Sequence, residues 1–200
     1  MKESICIFGD SVTYGGYIKQ NWVNLLRWEL EEKLDDVVVY NHGINAETST
    51  AILKRLESEA NPRNPTTIII AIGVNDSAYI LDTNEAITSI DTFENNLQEI
   101  INKAKQFTER IFLLGLALGD DSLLKPFPES NRGKSYDFQR VKNYNQKIKE
   151  AAEENKCTYI PLLDALHKED FSDGLHPNEQ GHRKIFESIK IFFDESPKVI

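Results

Sequence analysis

Short apolar runs recur along the chain, each ending in small or polar residues and separated by stretches with helical spacing. The first, Ser4-Ile5-Cys6-Ile7-Phe8, stops abruptly at Gly9-Asp10-Ser11. That pattern reads as a buried strand closing on a tight turn. A second run, Val37-Val38-Val39-Tyr40-Asn41, stops at His42-Gly43-Ile44-Asn45. The third, Thr67-Ile68-Ile69-Ile70-Ala71-Ile72, is the most apolar and β-branched, as expected of a central parallel strand covered on both faces. It ends in Gly73-Val74-Asn75-Asp76. Arg110-Ile111-Phe112-Leu113-Leu114-Gly115-Leu116 gives a fourth strand, and Thr158-Tyr159-Ile160-Pro161-Leu162 a fifth.

Between the strands, apolar residues repeat every three to four positions. They predict helices over residues 21–30, with a charged run at 29–36 closing the first, then over 48–60, about 84–107, 137–155 and 178–193. Thr48 or a neighbour is the expected cap of the second helix. Trp22 and Trp28 read as core or rim packing. Residues 119–136 break every period, with Pro126, Pro128 and scattered charges. A loop of that length inside a compact domain is usually functional or mobile. A short helical turn over residues 163–167 is expected on the way from strand five to the carboxyl-terminal helix.

Strands alternating with helices call for a parallel sheet with helices on both faces, in one α/β domain over residues 1–200. Right-handed crossovers leave few windings, and five strands favour the order 2-1-3-4-5. Strands one and five are then three places apart, about 14 Å at the usual spacing. A disulfide needs Cα atoms within about 7 Å, so Cys6 and Cys157 should remain unpaired thiols. With no Cys-x-x-Cys pair, a metal role for them is not indicated either.

Composition narrows the classes. The 200 residues carry 40% hydrophobic and 28% charged side chains, the balance of a globular protein, and the net charge of −9 disfavours nucleic acid as a partner. No apolar run approaches the roughly 18 residues of a membrane span. The Met1-Lys2-Glu3-Ser4 start carries too short an apolar stretch to read as a secretory signal, so a cytoplasmic location is the expectation.

The polar residues gain meaning from where they fall. Ser11, Gly43 and Asn75 follow strands one, two and three, while Asp173 and His176 follow strand five. All five thus belong to the carboxyl edge of one sheet, where parallel α/β folds bind ligands. Each residue alone has an ordinary reading: Ser and Asp as turn-formers or caps, with Asp10 holding its turn; Asp173-Gly174 as a turn; Pro177-Asn178 as a helix start. His42, His167 and His182 read as surface or packing histidines. Together, however, Ser11 is a candidate nucleophile, His176 its base, and Asp173 the acceptor that fixes the histidine tautomer. The N–H groups of Ser11 and Gly43 and the Asn75 carboxamide are candidate oxyanion donors.

Gly9-Asp10-Ser11 with Gly15, then Gly43, then Gly73-Val74-Asn75-Asp76, then Asp173-Gly174-Leu175-His176-Pro177 resemble the four blocks of the SGNH hydrolases, the GDSL esterase/lipase family. The blocks stand in the family's order over nearly the whole chain. Val12 replaces the leucine of the family name, at a packing position. The resemblance implies a flavodoxin-like three-layer α/β/α sandwich and a serine hydrolase that cleaves carboxylic esters, short-chain acyl esters or O-acetyl groups, through an acyl-serine. It implies Ser11, Asp173 and His176 as triad, an oxyanion hole from Ser11, Gly43 and Asn75, a small-molecule ester as substrate, and no metal or organic cofactor. Thioesters and lysophospholipids are alternatives within the family. A nucleotide- or flavin-binding module, or a non-catalytic carbohydrate-binding relative, is the alternative outside it. The segment at 119–136, with Phe127 and Tyr136, is expected to border the substrate pocket.

Overall fold

The computed structural model describes residues 3–195, with side chains described as far as Phe193. Met1 and Lys2, which open the Met1–Ser4 stretch, and residues 196–200 at the end of the expected 1–200 domain lie outside the described residues. The strands are β1 (Glu3–Gly9), β2 (Val37–Gly43), β3 (Thr67–Ala71), β4 (Tyr79–Ile80), β5 (Ile111–Leu114), β6 (Lys134–Ser135) and β7 (Thr158–Ile160). The helices are α1 (Ser11–Tyr14), α2 (Trp22–Lys33), α3 (Ser49–Ala60), α4 (Val74–Ser77), α5 (Ile90–Ala104), α6 (Phe138–Asn155) and α7 (Glu179–Glu195). Five strands form a parallel sheet in the order β2-β1-β3-β5-β7, which is 2-1-3-4-5 counted within that sheet. The expected α/β sandwich is the fold.

The period-2 geometry of a strand explains why the β1 and β3 runs are apolar throughout. Cys6, Phe8, Ile68 and Ile70 point to one face, where they meet Ile52 and Leu56 of α3, Phe93 and Leu97 of α5, and Val141 and Ile148 of α6. Ile5, Ile7, Ile69 and Phe112 point to the other, against Trp22 and Leu26 of α2 and Ile185 and Ile189 of α7. Each face thus has its own core, as a sheet covered on both sides requires. Trp22 is buried, whereas Trp28 stands 46% exposed on the rim. Cys6 and Cys157 are free thiols, and burial pushes the Cys157 pKa up to about 11.

Several boundaries differ from the sequence reading, β2 running on to Gly43 and β7 stopping at Ile160 among them, and three differences have a clear local reason. The helix expected from residue 84 starts at Ile90, because Ser89 Oγ caps it by accepting from the Thr92 N–H at 3.2 Å. The residues before it turn back, with Ile80 N donating to Glu85 O at 2.9 Å and Ile87 N to Ala78 O at 2.8 Å. Strand β5 ends at Leu114 rather than Leu116, since the Leu116 N–H leaves the sheet to donate to Asn145 Oδ1 at 2.8 Å. The segment 119–136 is folded back on itself rather than irregular throughout. Phe127 N donates to Lys134 O at 2.8 Å, Tyr136 N donates to Leu124 O at 3.0 Å, and β6 pairs antiparallel with β4. The chain then turns at residues 163–165 and through a short 3₁₀ element, Lys168–Asp170, carrying β7's exit back toward β1. Among the described residues no helix is long and apolar enough to cross a membrane.

Candidate active site

The site grows from the end of β1. A Cβ on Gly9 would lie 2.1 Å from Thr13 Oγ1 and 2.6 Å from the Ala71 carbonyl oxygen, so only glycine lets the strand pass this close to its neighbours. Asp10 then caps α1, its Oδ1 accepting from the Val12 N–H at 3.0 Å. This is the turn-holding role expected of it. Ser11 opens α1 and presents its hydroxyl at the carboxyl edge of the sheet.

The return loop after β7 brings a histidine to that hydroxyl. Ser11 Oγ lies 3.1 Å from His176 Nε2, and His176 Nδ1 lies 2.7 Å from Asp173 Oδ2. A carboxylate only accepts, so the ring proton sits on Nδ1 and leaves Nε2 as acceptor for the Ser11 O–H. The loop is tied internally: Asp173 Oδ1 accepts from the N–H groups of Leu175 at 2.9 Å and His176 at 2.7 Å, and Ser172 N donates to His176 O at 2.8 Å. Burial raises the Asp173 pKa, but the His176 ring and these two amides outweigh it, and the net shift is downward. Asn178 Oδ1 accepts from the N–H groups of Gln180 and Gly181 at the start of α7, as its place after Pro177 suggested.

Asn75 completes the cluster from α4. Its Oδ1 accepts from Lys134 Nζ at 2.6 Å and from the Tyr136 hydroxyl at 3.1 Å. Lysine can only donate, so the amide orientation is forced and Nδ2 is turned toward Asp10, 3.4 Å from its Oδ2. Burial pushes the Asp10 carboxyl up to about 6, with the Val12 N–H, His176 and Lys134 opposing that rise. Ser11, Asn75, Asp173 and His176 line one cleft of about 480 Å³, together with Tyr17, Ala46, Phe127, Lys134 and Tyr136. Phe127 also meets the His176 ring edge-on at 6.1 Å.

Residues 7–184 match the GDSL-like lipase/acylhydrolase family. The chain belongs to this family. Curated relatives agree. An arylesterase of Vibrio mimicus is 25% identical over 193 residues, covering 94% of this chain and 86% of that protein. A GDSL esterase/lipase of Arabidopsis thaliana is 24% identical, covering 98% and 87%. Among solved structures, TesA superposes with a TM-score of 0.74 at 20% identity, covering 94% of this chain and 97% of that one. The acetyl xylan esterase AlAXEase gives 0.73 at 21%, covering 94% and 98%. At such identities the structures show the shared fold. Family membership makes the chain an ester hydrolase in class, in place of the nucleotide-binding alternative.

One expected site residue of this GDSL-family chain is not brought to the cleft. Gly43 is the last residue of β2, paired with Gly9, and its N–H donates to Asn41 Oδ1 at 2.8 Å. A Cβ there would fall 2.1 Å from Tyr14 N and 2.7 Å from Thr13 C, so this glycine serves the close approach of α1 to β2. The expectation that Gly43 supplies an oxyanion donor is corrected accordingly. Ala46 lines the cleft instead, with φ at +59°. Among the described residues, no protein acceptor engages the N–H of Ala46 or of Ser11. An alanine in left-handed backbone has no sequence signature, so nothing marked it beforehand.

The other histidines pack or sit outside. His42 stacks on Phe8 with Nδ1 2.6 Å from a Glu59 carboxylate oxygen, and His167 is exposed beside the 3₁₀ element. His182 is buried against the site: its Nδ1 accepts from Trp22 N at 3.3 Å, so Nε2–H donates to the Tyr17 hydroxyl at 3.1 Å. Tyr17 in turn meets His176 edge-on at 5.3 Å. Burial, with the neighbouring His176, lowers the His182 pKa to about 4. No cluster of three His, Cys, Asp or Glu side chains suited to a metal occurs among the described residues.

Proposed function

We propose that this chain hydrolyses carboxylic esters through an acyl-serine intermediate on Ser11, with His176 as general base and Asp173 holding the imidazole. The observation that carries the reading is the unbroken relay at the mouth of the cleft, 3.1 Å from hydroxyl to ring and 2.7 Å from ring to carboxylate. Serine is a poor nucleophile near neutrality unless a base takes its proton as it attacks.

In this reading Ser11 Oγ attacks the ester carbonyl carbon while its proton passes to His176 Nε2. The imidazolium so formed is stabilised by the ionised Asp173, whose lowered pKa keeps it charged. Negative charge develops on the carbonyl oxygen. The N–H groups of Ser11 and Ala46 and the Asn75 Nδ2 are the donors that would receive it. Collapse breaks the bond to the alcohol oxygen, which leaves with the proton from His176. Water then attacks the acyl-serine, giving its proton to His176, and the acid departs as Ser11 regains its hydrogen.

Short acyl or O-acetyl esters are the proposed substrates. Supporting this are relatives named arylesterase, isoamyl acetate-hydrolyzing esterase 1 homolog and acetyl xylan esterase, and a cleft whose walls mix aromatic edges (Tyr17, Phe127) with polar groups (Asn45, Ser130, Ser172). The test is turnover of p-nitrophenyl acetate, an acyl-length series and acetylated sugars by wild type and Ser11→Ala. Turnover should fall roughly 10³-fold or more in the variant and decline with acyl length in the wild type. Equal turnover by Ser11→Ala would rule this serine out.

A further inference from the structure

The segment at 119–136 does more than wall the cleft. Asn75 Oδ1 holds two donors, the Lys134 ammonium at 2.6 Å and the Tyr136 hydroxyl at 3.1 Å, while Asp10 Oδ2 is the single protein acceptor of Nδ2 among the described residues. Asn75 is 3% exposed and Tyr136 1%, so these contacts are shielded from water, and Lys134 is itself half-buried, its ammonium 5.1 Å over the Tyr136 ring.

A cation on an amide oxygen draws electron density toward that oxygen and leaves the amide N–H groups stronger donors. It also fixes the plane of the carboxamide, which otherwise could present oxygen where a donor is required. The setting makes such help necessary. Asp10 and Asp76 lie beside the cluster, and Asp173 and Glu129 line the same cleft. An oxyanion forming there meets carboxylates on several sides, against which Lys134 places one half-buried positive charge.

We propose that Lys134, together with Tyr136, is a positioning residue that orients and polarises the Asn75 carboxamide for the developing oxyanion. The inference rests on the ester-hydrolase reading above. The interaction strengthens as charge accumulates on the carbonyl oxygen, so its loss falls on kcat and leaves ground-state binding nearly unchanged.

The experiment is steady-state kinetics on p-nitrophenyl acetate, with fluorophosphonate labelling rates, for wild type, Lys134→Met, Lys134→Gln, Lys134→Arg and Tyr136→Phe. Lys134→Met should lower kcat on the order of 30- to 100-fold with KM within about twofold. Lys134→Gln, which keeps a donor without the charge, should fall between Met and wild type, and Lys134→Arg should recover much of the loss. Tyr136→Phe should lose roughly threefold to tenfold. Labelling should slow in parallel, because phosphonylation also builds charge on an oxygen in that position. Thermal unfolding of each variant separates these effects from misfolding, and if Lys134→Met fails to fold, Lys134→Gln and Tyr136→Phe decide the question. Folded Lys134→Met and Lys134→Gln with kcat within twofold of wild type would overturn the proposal. So would a rise in KM at constant kcat, which would make Lys134 a substrate-binding residue. A wild type inert toward every ester would instead remove the hydrolase reading itself.

Discussion

The turn after β1 and the segment at 119–136 meet across one cleft but are held there by different means. The turn ends β1, which lies between β3 and the edge strand β2, and is fixed by close packing and a cap: Gly9 against the Thr13 side chain and the Ala71 carbonyl, the Asp10 side chain capping α1. The opposing segment rests on a two-residue strand pair and on side-chain ties near solvent, among them Lys125 to Asp121 at 2.8 Å and to Asp137 at 2.9 Å. Tight packing at Gly9 and the buried Asp10 cap fix Ser11 with little tolerance for change. Half-exposed ties such as those of Lys125 hold the rim that shapes access, while buried Tyr136 and half-buried Lys134 support Asn75, and the rim contacts can be altered without unfolding the sheet.

That contrast is sharpest in activity. His176→Ala should reduce turnover roughly 10³-fold or more at near wild-type stability, and Asn75→Ala about 10²- to 10³-fold with a stability loss of about 1–3 kcal/mol, because Lys134 and Tyr136 lose their shared acceptor. A similarly large loss from Phe127→Ala would break the distinction between the two regions.

Gly43→Ala probes the rigid side by another route. The added methyl meets the Thr13–Tyr14 backbone, so unfolding in urea should show a loss of about 2–3 kcal/mol, with α1 displaced. A variant as stable as wild type would mean that α1 and β2 can separate freely.

His182 tests burial beneath the site through pH. Its pKa is about 4 in the folded protein against 6.5 for the free side chain. Between those values the unfolded chain takes up a proton that the folded one refuses, so stability falls as pH drops from 6.5 toward 4 and levels off below. His182→Gln can keep both hydrogen bonds without titrating. The stability advantage of wild type over this variant should therefore shrink by about 2 kcal/mol between pH 7 and pH 4.5. Asp10, raised to about 6, acts in the opposite sense in both proteins and cancels in the difference. A difference independent of pH would mean that His182 is hydrated.

The smallest effect belongs to the segment's rim. Phe127→Ala should change KM and acyl-length preference by roughly threefold to tenfold while kcat on acetate moves little. An unchanged preference profile would detach Phe127 from substrate contact.

The same division explains what the sequence disclosed. The β-branched runs ending in Gly9-Asp10-Ser11 and Gly73-Val74-Asn75, and the Asp173–His176 spacing, are periodic or punctuated patterns. From them the strand order and the meeting of Ser11 with His176 follow. Ala46 was hidden because its role depends on a left-handed backbone that alanine does not announce, and the nearby Gly43 drew the assignment by offering the more familiar residue. Lys134 was hidden because its neighbour Asn75 lies 59 residues away and the intervening segment has no period. The late start of α5 reflects competition that hydropathy does not register, namely the Ser89 cap and the backbone pairing of Ile80 and Ile87.

The most direct test is peptide mapping by mass spectrometry after a fluorophosphonate reacts with the wild-type protein and with His176→Ala. The account predicts a single adduct on the peptide bearing Ser11, formed rapidly in the wild type and at least roughly 10²-fold more slowly without the imidazole. An adduct on another serine, or labelling of Ser11 at an undiminished rate in His176→Ala, would contradict it.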